Sequence, residues 1–268
     1  MKKQIICINW GTRYGPNYIN RLYGMVSRNI TPPFDFVCFT DNPMGIRPEV
    51  RSLELPPIGI EMPTGTRGKW PKSRLWGPEL GDLQGPVLYM DLDMMVLGSL
   101  DPFFEFGNED DVILARNPNT PFERLGQTSI FRFPVGKLEP IQKKFQANSQ
   151  AIANQYHFEQ RYVTQNAPGG VRFFPRSWIA HFRLHCVPVF PFNYFMQPRR
   201  PKRAHVVMFP GGLTQELAIE GRWNTETPRL AAKEHLQLAF RQRTLKGFSR
   251  TLRHYIQPTH WIEKDWVE

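Results

Sequence analysis

The stretch of sequence that decides the fold is Val87-Leu88-Tyr89-Met90-Asp91-Leu92-Asp93-Met94-Met95-Val96. Its first four residues are apolar or aromatic, and two carboxylates separated by one residue follow them. Side chains two residues apart share a face of an extended chain, so the sequence predicts that Asp91 and Asp93 converge while Leu92 turns into the core. In open α/β sheets ligands bind at the carboxyl ends of the strands, which is where this pair falls.

The chemistry of this pair indicates a metal site. Two neighbouring, partly buried carboxylates repel each other unless a proton or a cation lies between them. Mg²⁺ and Mn²⁺ prefer oxygen ligands and often complete their shell with phosphate oxygens and water. We therefore expect Asp91 and Asp93 to hold a metal-bound diphosphate, although a structural or helix-capping pair remains the alternative from the residues alone.

The rest of the chain alternates short apolar runs with longer mixed segments, which is typical of an α/β fold with a mostly parallel sheet. The predicted strands are 4–9, 36–40, 50–55, 87–91, 112–115, 129–133, 171–174 and 205–209. The predicted helices are 17–28, 72–80, 138–155, 157–165 and one near 231–255. We expect one large domain over residues 1–228 and a basic, amphipathic helical extension over residues 229–268.

Composition narrows the classes of partner. The chain has 268 residues, 41% of them hydrophobic, which predicts a folded globule. Its 34 Lys and Arg against 24 Asp and Glu give a net charge of +10, which favours anionic partners. No helix-turn-helix or RNP-type motif is found, so nucleic acid is not the expected partner.

Cysteine usage and hydropathy predict a cytoplasmic location. Cys7, Cys38 and Cys186 are far apart and form no CxxC pair, which is typical of reduced thiols. The apolar run at Ile5–Ile8 is shorter than the roughly 7–15 residues of a signal peptide, and none approaches the about 20 of a membrane span. We expect a protein that is soluble or peripheral on the inner face of the membrane.

The C-terminal segment has the pattern of a basic amphipathic helix. Its apolar positions recur at helical spacing and are Leu245, Phe248, Leu252 and Tyr255. The opposite side carries Arg243, Lys246, Arg250 and Arg253. Such a helix can lie on an anionic membrane surface. The alternative is a terminal helix docked on the core with a solvated charged face.

Three motifs resemble a GT-A glycosyltransferase, and most closely the bacterial family 8-like enzymes. They are Lys72-Ser73-Arg74-Leu75-Trp76, the strand 87–93 and Val96-Leu97-Gly98-Ser99-Leu100-Asp101-Pro102. Weaker matches are 9–23, 127–133, Glu159-Gln160 and 178–186, so the resemblance covers most of residues 4–225. It implies a GT-A-like, Rossmann-like, mixed but mostly parallel sheet flanked by helices.

The resemblance also implies roles for single residues. Asp91 and Asp93 would bind Mn²⁺ or Mg²⁺, Lys72 would reach the donor phosphate or sugar, and Tyr14 would lie where the nucleotide base is gripped. Gln127 and Glu159 would face the transferred sugar and the acceptor as catalytic residues, although each of these polar residues has a plainer interpretation as a solvated or capping side chain.

One position departs from the family pattern. Pro210 occupies the place of a late histidine that usually supplies a third metal ligand. The following Gly211 and Gly212 can still bring backbone N–H groups against a phosphate. The metal would then be held by the two carboxylates with water and phosphate, or another group would substitute.

The function implied is transfer of a sugar from a nucleoside diphosphate sugar, with a UDP-sugar favoured, to a hydroxyl of a glycan or lipid-linked acceptor. Bacterial surface polysaccharide biosynthesis is the expected setting, and retention of configuration the expected stereochemistry. Two alternatives remain open. One is an inactive, transferase-like protein that binds a glycan or a partner, and the other is a haloacid dehalogenase-type phosphatase, whose Asp-X-Asp motif includes a nucleophilic aspartate.

Overall fold

The computed structural model describes residues 2–209 and 211–268, and within them the chain alternates strands and helices. The strands are β1 (Lys3–Asn9), β2 (Phe34–Thr40), β3 (Arg51–Leu53), β4 (Pro86–Met90), β5 (Met94–Val96), β6 (Val112–Arg116), β7 (Gly126–Pro134), β8 (Val171–Phe173), β9 (Ile179–His181) and β10 (Val206–Met208). The α-helices are α1 (Pro16–Arg28), α2 (Asp101–Glu105), α3 (Glu139–Ala147), α4 (Ser149–Tyr156), α5 (Glu159–Asn166), α6 (Gln215–Glu220), α7 (Ala232–Phe240), α8 (Leu245–Arg253) and α9 (His260–Asp265).

These elements pack into two compact units. The first comprises the chain up to Leu92 together with Ser99–Arg176, and the second comprises Asp93–Gly98 and Ser177–Glu268. The predicted division between residues 228 and 229 falls inside the second unit. The C-terminal helices are therefore packed with the residues that precede them.

The first unit contains a seven-stranded sheet in the order β3-β2-β1-β4-β7-β6-β8. Neighbouring strands are parallel except that β7 runs antiparallel to both β4 and β6. This confirms the predicted mixed, mostly parallel α/β sheet. Every residue of β4 is buried, as is expected of a central strand covered on both faces, and this explains its uninterrupted apolar run.

The central strands also bury two thiols. Cys7 of β1 is the register partner of Cys38 of β2, and both are fully buried. Burial, followed by the neighbouring Cys38, raises the pKa of the Cys7 thiol well above its usual range. Cys186 is buried in the second unit, and burial raises its pKa to about 12. All three cysteines are free thiols.

A cluster of aromatic side chains packs under one face of the first sheet. Trp70 stacks on Phe145 with ring centroids 5.0 Å apart, and Tyr162 lies against both Trp70 and Trp76. Trp70 and Trp76 bracket a 3₁₀ helix where an α-helix over 72–80 is predicted. The segment ends at Trp76 because Gly77 is extended and precedes Pro78, which disfavours helical backbone before it.

The second unit contains a three-stranded sheet in the order β5-β10-β9, in which β10 is antiparallel to β5 and parallel to β9. Strands β5 and β9 have three residues each, too few to give a periodic pattern, and neither is predicted. The chain leaves the first sheet at Met90, turns at Leu92 and Asp93, and enters the second sheet at Met94. The expectation of an extended backbone from Asp91 to Asp93 is therefore wrong, although Leu92 is buried as predicted.

Two long predicted helices are each broken in two. The segment 138–155 is interrupted at Asn148, which ends α3 and precedes α4 with a non-helical backbone. The segment 231–255 is interrupted before Thr244, whose hydroxyl accepts a hydrogen bond from the Gly247 N–H and caps α8. At Thr244 the side chain satisfies a free N–H group of the new helix, whereas the break at Asn148 lies in its non-helical backbone without a side-chain cap.

The apolar stripe of α8 is largely covered inside the second unit. Leu252, which is 8% exposed, and Tyr255 pack with Tyr194 and Ala239, and Phe248 packs against them. Leu245, at the other end of the stripe, is 87% exposed. The docked helix is thus the alternative that the packing favours. Within the described ranges, no helix has the length and apolar character that crossing a bilayer requires.

Candidate active site

A partly buried ion pair lies at the carboxyl end of β4. The Lys72 ammonium is 2.7 Å from Oδ1 of Asp91 and 3.0 Å from its Oδ2. The Tyr89 hydroxyl donates a third hydrogen bond to this carboxylate, at 2.6 Å from Oδ1, and the Lys72 ammonium lies 5.1 Å from the centroid of the Tyr89 ring. Lys72 is buried and Asp91 is partly exposed. The carboxylate is therefore oriented by a lysine on its interior side and is accessible to solvent on the other side.

This pair is connected to Glu159 through Thr128. The Lys72 ammonium donates to the Thr128 carbonyl at 3.2 Å, and the Thr128 hydroxyl donates to Oε1 of Glu159 at 3.1 Å. The other oxygen of Glu159 accepts the Lys69 backbone N–H at 2.7 Å. Glu159 is buried, and in this structure it ties α5 to β7 and to the segment that carries Lys72. Its predicted role at the transferred sugar stays a prediction.

Gln127 lies at the start of β7, the strand that pairs with β4. Its amide donates to the Ser129 hydroxyl at 3.1 Å, and the Ser129 carbonyl accepts the Asp91 N–H at 2.8 Å. The antiparallel pairing therefore brings Gln127 to the same edge of the sheet as Asp91. Four predicted site residues, namely Lys72, Asp91, Gln127 and Glu159, are grouped at this edge.

Tyr14 follows β1, the parallel neighbour of β4, so it lies at the same edge. Its ring is 4.7 Å from that of Tyr18, and the Arg13 guanidinium lies 5.0 Å from its centroid. The Asn9 amide holds the loop by donating to the Tyr14 carbonyl at 3.3 Å. An aromatic ring beside a cation suits a nucleotide base and its phosphates, which is the role predicted for Tyr14.

The glycine turn and Asp93 belong to the second unit. Gly211 and Gly212 have φ angles of +55° and +86°, a left-handed backbone that favours glycine. Arg183 Nη1 is 3.8 Å from the point where a Cβ on Gly211 would lie, so a cation adjoins this turn. Pro210 lies outside the described residues.

Arg183 is held on Trp223, whose ring is 4.4 Å below the guanidinium and whose carbonyl accepts a hydrogen bond from Nη2. Burial lowers the pKa of Arg183 to about 10, which leaves it charged at neutral pH. Sequence reasoning does not single out this arginine. Its position two residues after a buried strand is the signal that could have done so.

His181 and His185 contact each other in the second unit. The His181 N–H donates to Nδ1 of His185 at 2.8 Å, and Nδ1 of His181 accepts the Leu184 N–H at 3.3 Å. His181 is buried, and burial, followed by His185 and Arg183, lowers its pKa to about 4. It is therefore neutral at pH 7 and serves as a helix cap in the core.

The side chains at this site can bind a divalent cation only if a bound ligand supplies further oxygen atoms to it. Among residues 2–209 and 211–268, no cluster of three His, Cys, Asp or Glu side chains could hold a metal ion. Oδ1 of Asp91 already accepts hydrogen bonds from Lys72 and Tyr89, whereas Oδ2 accepts one from Lys72. A carboxylate oxygen has two lone-pair directions, so one direction on Oδ2 remains for a cation. The oxygen chemistry fits Mn²⁺ or Mg²⁺, with phosphate and water as further ligands.

Tyr89 and Thr128 are site residues that sequence reasoning missed. Tyr89 lies two residues before Asp91 in the same run, so strand alternation could have placed both side chains on one face. Thr128 carries no comparable signal, because its role depends on the pairing of β7 with β4 and on the position of α5. Such contacts between distant segments are set by tertiary structure.

The fold is shared with solved glycosyltransferases. The chain superimposes on galactosyltransferase LgtC, solved in complex with donor and acceptor sugar analogs, with a TM-score of 0.57 and 15% identity, over 90% of this chain and 97% of that one. It matches GlyE of Streptococcus pneumoniae TIGR4 with a TM-score of 0.58 and 12% identity, over 100% of this chain and 66% of that one. A third match is the bifunctional glycosyltransferase WbbM, with a TM-score of 0.55 and 12% identity, of which this chain spans 51%.

Sequence comparison adds no family assignment. No protein-family model matches the chain, and no curated protein matches it by sequence. The structural matches confirm the predicted GT-A fold.

Proposed function

We propose that this protein transfers a sugar from a nucleoside diphosphate sugar to a hydroxyl acceptor. The observation that carries the proposal is the orientation of Asp91 by Lys72 and Tyr89 at the carboxyl edge of a sheet whose fold is that of solved glycosyltransferases. Ligands bind at this edge in open α/β sheets. The fold likeness also favours transfer over the phosphatase alternative.

Tyr14 and Lys72 lie at this edge, and the glycine turn lies in the second unit. Tyr14, with Arg13 beside it, would contact the base, and UDP is the favoured nucleotide. Gly211 and Gly212, with Arg183 nearby, would present N–H groups and a cation to phosphate. Lys72 would act mainly through Asp91, because its ammonium is buried and already bonded to that carboxylate.

Asp91 and Asp93 would hold Mn²⁺ or Mg²⁺ together with the diphosphate. When bound, the cation neutralises negative charge on the departing nucleoside diphosphate. Gln127, partly exposed at the same edge, is the better placed of the two predicted catalytic residues to meet the transferred sugar. Glu159 would position the Lys72 segment, since both of its oxygens are bonded within the protein.

The acceptor is proposed as a glycan or a lipid-linked precursor in bacterial surface polysaccharide biosynthesis, with retention of configuration. The net charge of +10 favours anionic donors and acceptors, since it raises their local concentration.

The proposal is tested by donor turnover with a panel of nucleotide sugars in the presence of Mn²⁺, using wild type, Asp93→Asn and Asp110→Asn. Asp110 is exposed in a loop, so the same substitution there serves as the matched control. We expect turnover by wild type and Asp110→Asn, and loss of at least about 100-fold in Asp93→Asn, because a metal ligand and its charge are removed. Wild-type turnover in Asp93→Asn would contradict the metal role.

Calorimetry separates transfer from simple binding. We expect UDP to bind with Mn²⁺ and to lose most of its affinity in EDTA, because the described residues supply too few ligands to hold the cation alone. Nucleotide binding without turnover on any donor would favour the inactive, transferase-like alternative. Release of phosphate from simple phosphomonoesters would favour the phosphatase.

A further inference from the structure

A loop of the second unit displays large apolar side chains to solvent. We call residues 187–198 the aromatic loop. Its exposed members are Val189, Phe190, Phe192 and Phe195, with 76%, 45%, 56% and 78% of their surface exposed. Single exposed apolar residues are ordinary, but four within seven positions indicate a binding surface.

The aromatic loop is held in place by its own buried residues. Asn193 is buried and donates to the carbonyls of Leu252 and Tyr255, at 3.0 and 3.1 Å. The Tyr194 ring stacks on Tyr255 at 4.5 Å, and its hydroxyl is 2.8 Å from Nδ1 of His235. The exposed phenylalanines on either side of Asn193 and Tyr194 are thus displayed by a fixed scaffold, so little ordering is needed when a partner binds.

The base of the aromatic loop is also closed. The Arg199 N–H donates to the Cys186 carbonyl at 2.8 Å, which joins the two ends. The Trp261 indole N–H donates to the Pro198 carbonyl at 3.0 Å. A loop that is braced at its base and at its centre, yet leaves its apolar side chains uncovered, indicates that these side chains serve an external contact.

Positive charge surrounds the aromatic loop. The exposed basic residues that follow it directly are Arg199, Arg200, Lys202 and Arg203, of which Arg200 pairs with Asp265 at 2.6 Å. At its centre Asn193 binds the last turn of α8, where Arg250 and Arg253 are exposed. Residues 177–268 contain 14 Lys and Arg against 7 Asp and Glu, which is +7 of the net +10.

We propose that the aromatic loop docks the protein on an anionic lipid bilayer. Phenylalanine and valine side chains would enter the boundary between headgroups and acyl chains, while the neighbouring arginines and lysines contact the anionic headgroups. A bilayer matches both features, since it offers apolar depth and diffuse negative charge. This surface differs from the predicted stripe of α8, most of which is packed inside the unit.

The test is co-sedimentation of the full chain with vesicles made of equal parts phosphatidylglycerol and phosphatidylcholine, and with pure phosphatidylcholine vesicles. We expect binding to the anionic vesicles that weakens with salt, and a loss of about tenfold or more in Phe192→Ser/Phe195→Ser. Phe122→Ser is the matched control, because Phe122 is a fully exposed phenylalanine of the first unit. Replacing Arg199, Lys202 and Arg203 by Gln should weaken anionic binding by a similar factor.

A second readout locates the contact. Phe195→Cys labelled with a polarity-sensitive dye should shift to shorter wavelength on anionic vesicles, whereas labelled Phe122→Cys should not. The native cysteines are buried and should not compete for the label. Donor turnover without vesicles should be unchanged in the Phe192→Ser/Phe195→Ser variant, so failure of this proposal is distinguishable from failure of the proposed function.

Three results would overturn the proposal. The first is wild type that remains in the supernatant with anionic vesicles at low salt. The second is unchanged vesicle binding by the Phe192→Ser/Phe195→Ser variant. The third is a solution dimer that the same substitutions dissociate, since the loop would then be an interface between copies of the chain.

Discussion

The Lys72 ammonium lies 2.7 and 3.0 Å from the two carboxylate oxygens of Asp91, and the lysine is buried while the aspartate is open to solvent on one side. The pair places a fixed positive charge beneath a carboxylate that is proposed to bind a cation. The charge of Lys72 offsets that of Asp91. Orientation of the carboxylate, together with charge balance, is therefore what the lysine contributes.

Replacing this lysine should affect both stability and activity. In Lys72→Met the Asp91 carboxylate loses its partner, and we expect unfolding to become easier by roughly 1–3 kcal/mol, less than for a fully buried pair because Asp91 is partly exposed. Donor turnover should fall by about 100-fold or more, since Asp91 is no longer oriented. Lys69→Met is the matched control, because that side chain is exposed and only its backbone N–H is used. Equal effects of the two substitutions, in chemical denaturation and in turnover, would show that the ion pair has no special role.

The Thr128 hydroxyl should stabilise the fold through Glu159. Thr128→Val preserves the side-chain volume but leaves one oxygen of a buried carboxylate without its donor, which costs about 1–3 kcal/mol. Thr128→Ser keeps the hydroxyl, and we expect it to be the less destabilised of the two in urea unfolding. If Thr128→Val proves as stable as Thr128→Ser, Glu159 is satisfied by another group.

Acid should destabilise the protein through His181. Its pKa is about 4 in the folded protein because of burial, below the usual value near 6.5, so the unfolded chain binds a proton more readily between these values. Stability from this group is complete above pH 6.5 and falls as the pH drops toward 4, by at most about 1.4 kcal/mol per pH unit.

The variant His181→Asn isolates the contribution of His181 to the pH dependence of stability, because Asn can accept the same capping hydrogen bond and does not titrate. We expect a shallower dependence of unfolding free energy on pH between 4 and 6.5, measured by urea denaturation at each pH. A wild-type slope in His181→Asn would mean that other histidines whose pKa is lowered by burial, namely His185, His235 and His254, carry the acid sensitivity.

Two leucines of helix α8 test whether this helix is packed against the second unit. Leu252 is 8% exposed and Leu245 is 87% exposed, on the same helix. We expect Leu252→Ala to cost about 2–4 kcal/mol of unfolding free energy, because it opens a cavity in a packed cluster. Leu245→Ala should change it by less than about 0.5 kcal/mol. Similar small effects for both would indicate that α8 is not packed as described.

The sequence predicts most of the first sheet because its strands are long and buried. For β1 and β4 the apolar runs themselves mark the strands to within one residue. The helix break before Thr244 depends on a local capping hydrogen bond, and the break at Asn148 depends on one residue with non-helical backbone; a periodic apolar pattern shows neither. The three-residue strands β5 and β9 depend on pairing with β10 and have no local signature.

The candidate site is predictable in part for the same reason. Lys72 and Asp91 lie in motifs that resemble a known family, and the structure brings them together. Their partners Tyr89 and Thr128 are ordinary residues whose importance comes from tertiary neighbours. The sequence does not indicate the aromatic loop as a binding surface, since exposure of its phenylalanines depends on Asn193 and Tyr194 being anchored on distant residues.

Each unit contains at least one buried cysteine whose reaction with a thiol reagent reports the opening of that unit. Cys7 and Cys38 are interior to the first unit, and Cys186 is interior to the second. A thiol reagent can modify them only when the surrounding structure opens. Pulsed alkylation followed by mass spectrometry therefore reads the opening of the two units separately in a single wild-type sample. Equal rates of alkylation at all three cysteines would indicate that the protein opens in one cooperative transition. Faster alkylation of Cys186 would indicate that the second unit is the less stable of the two.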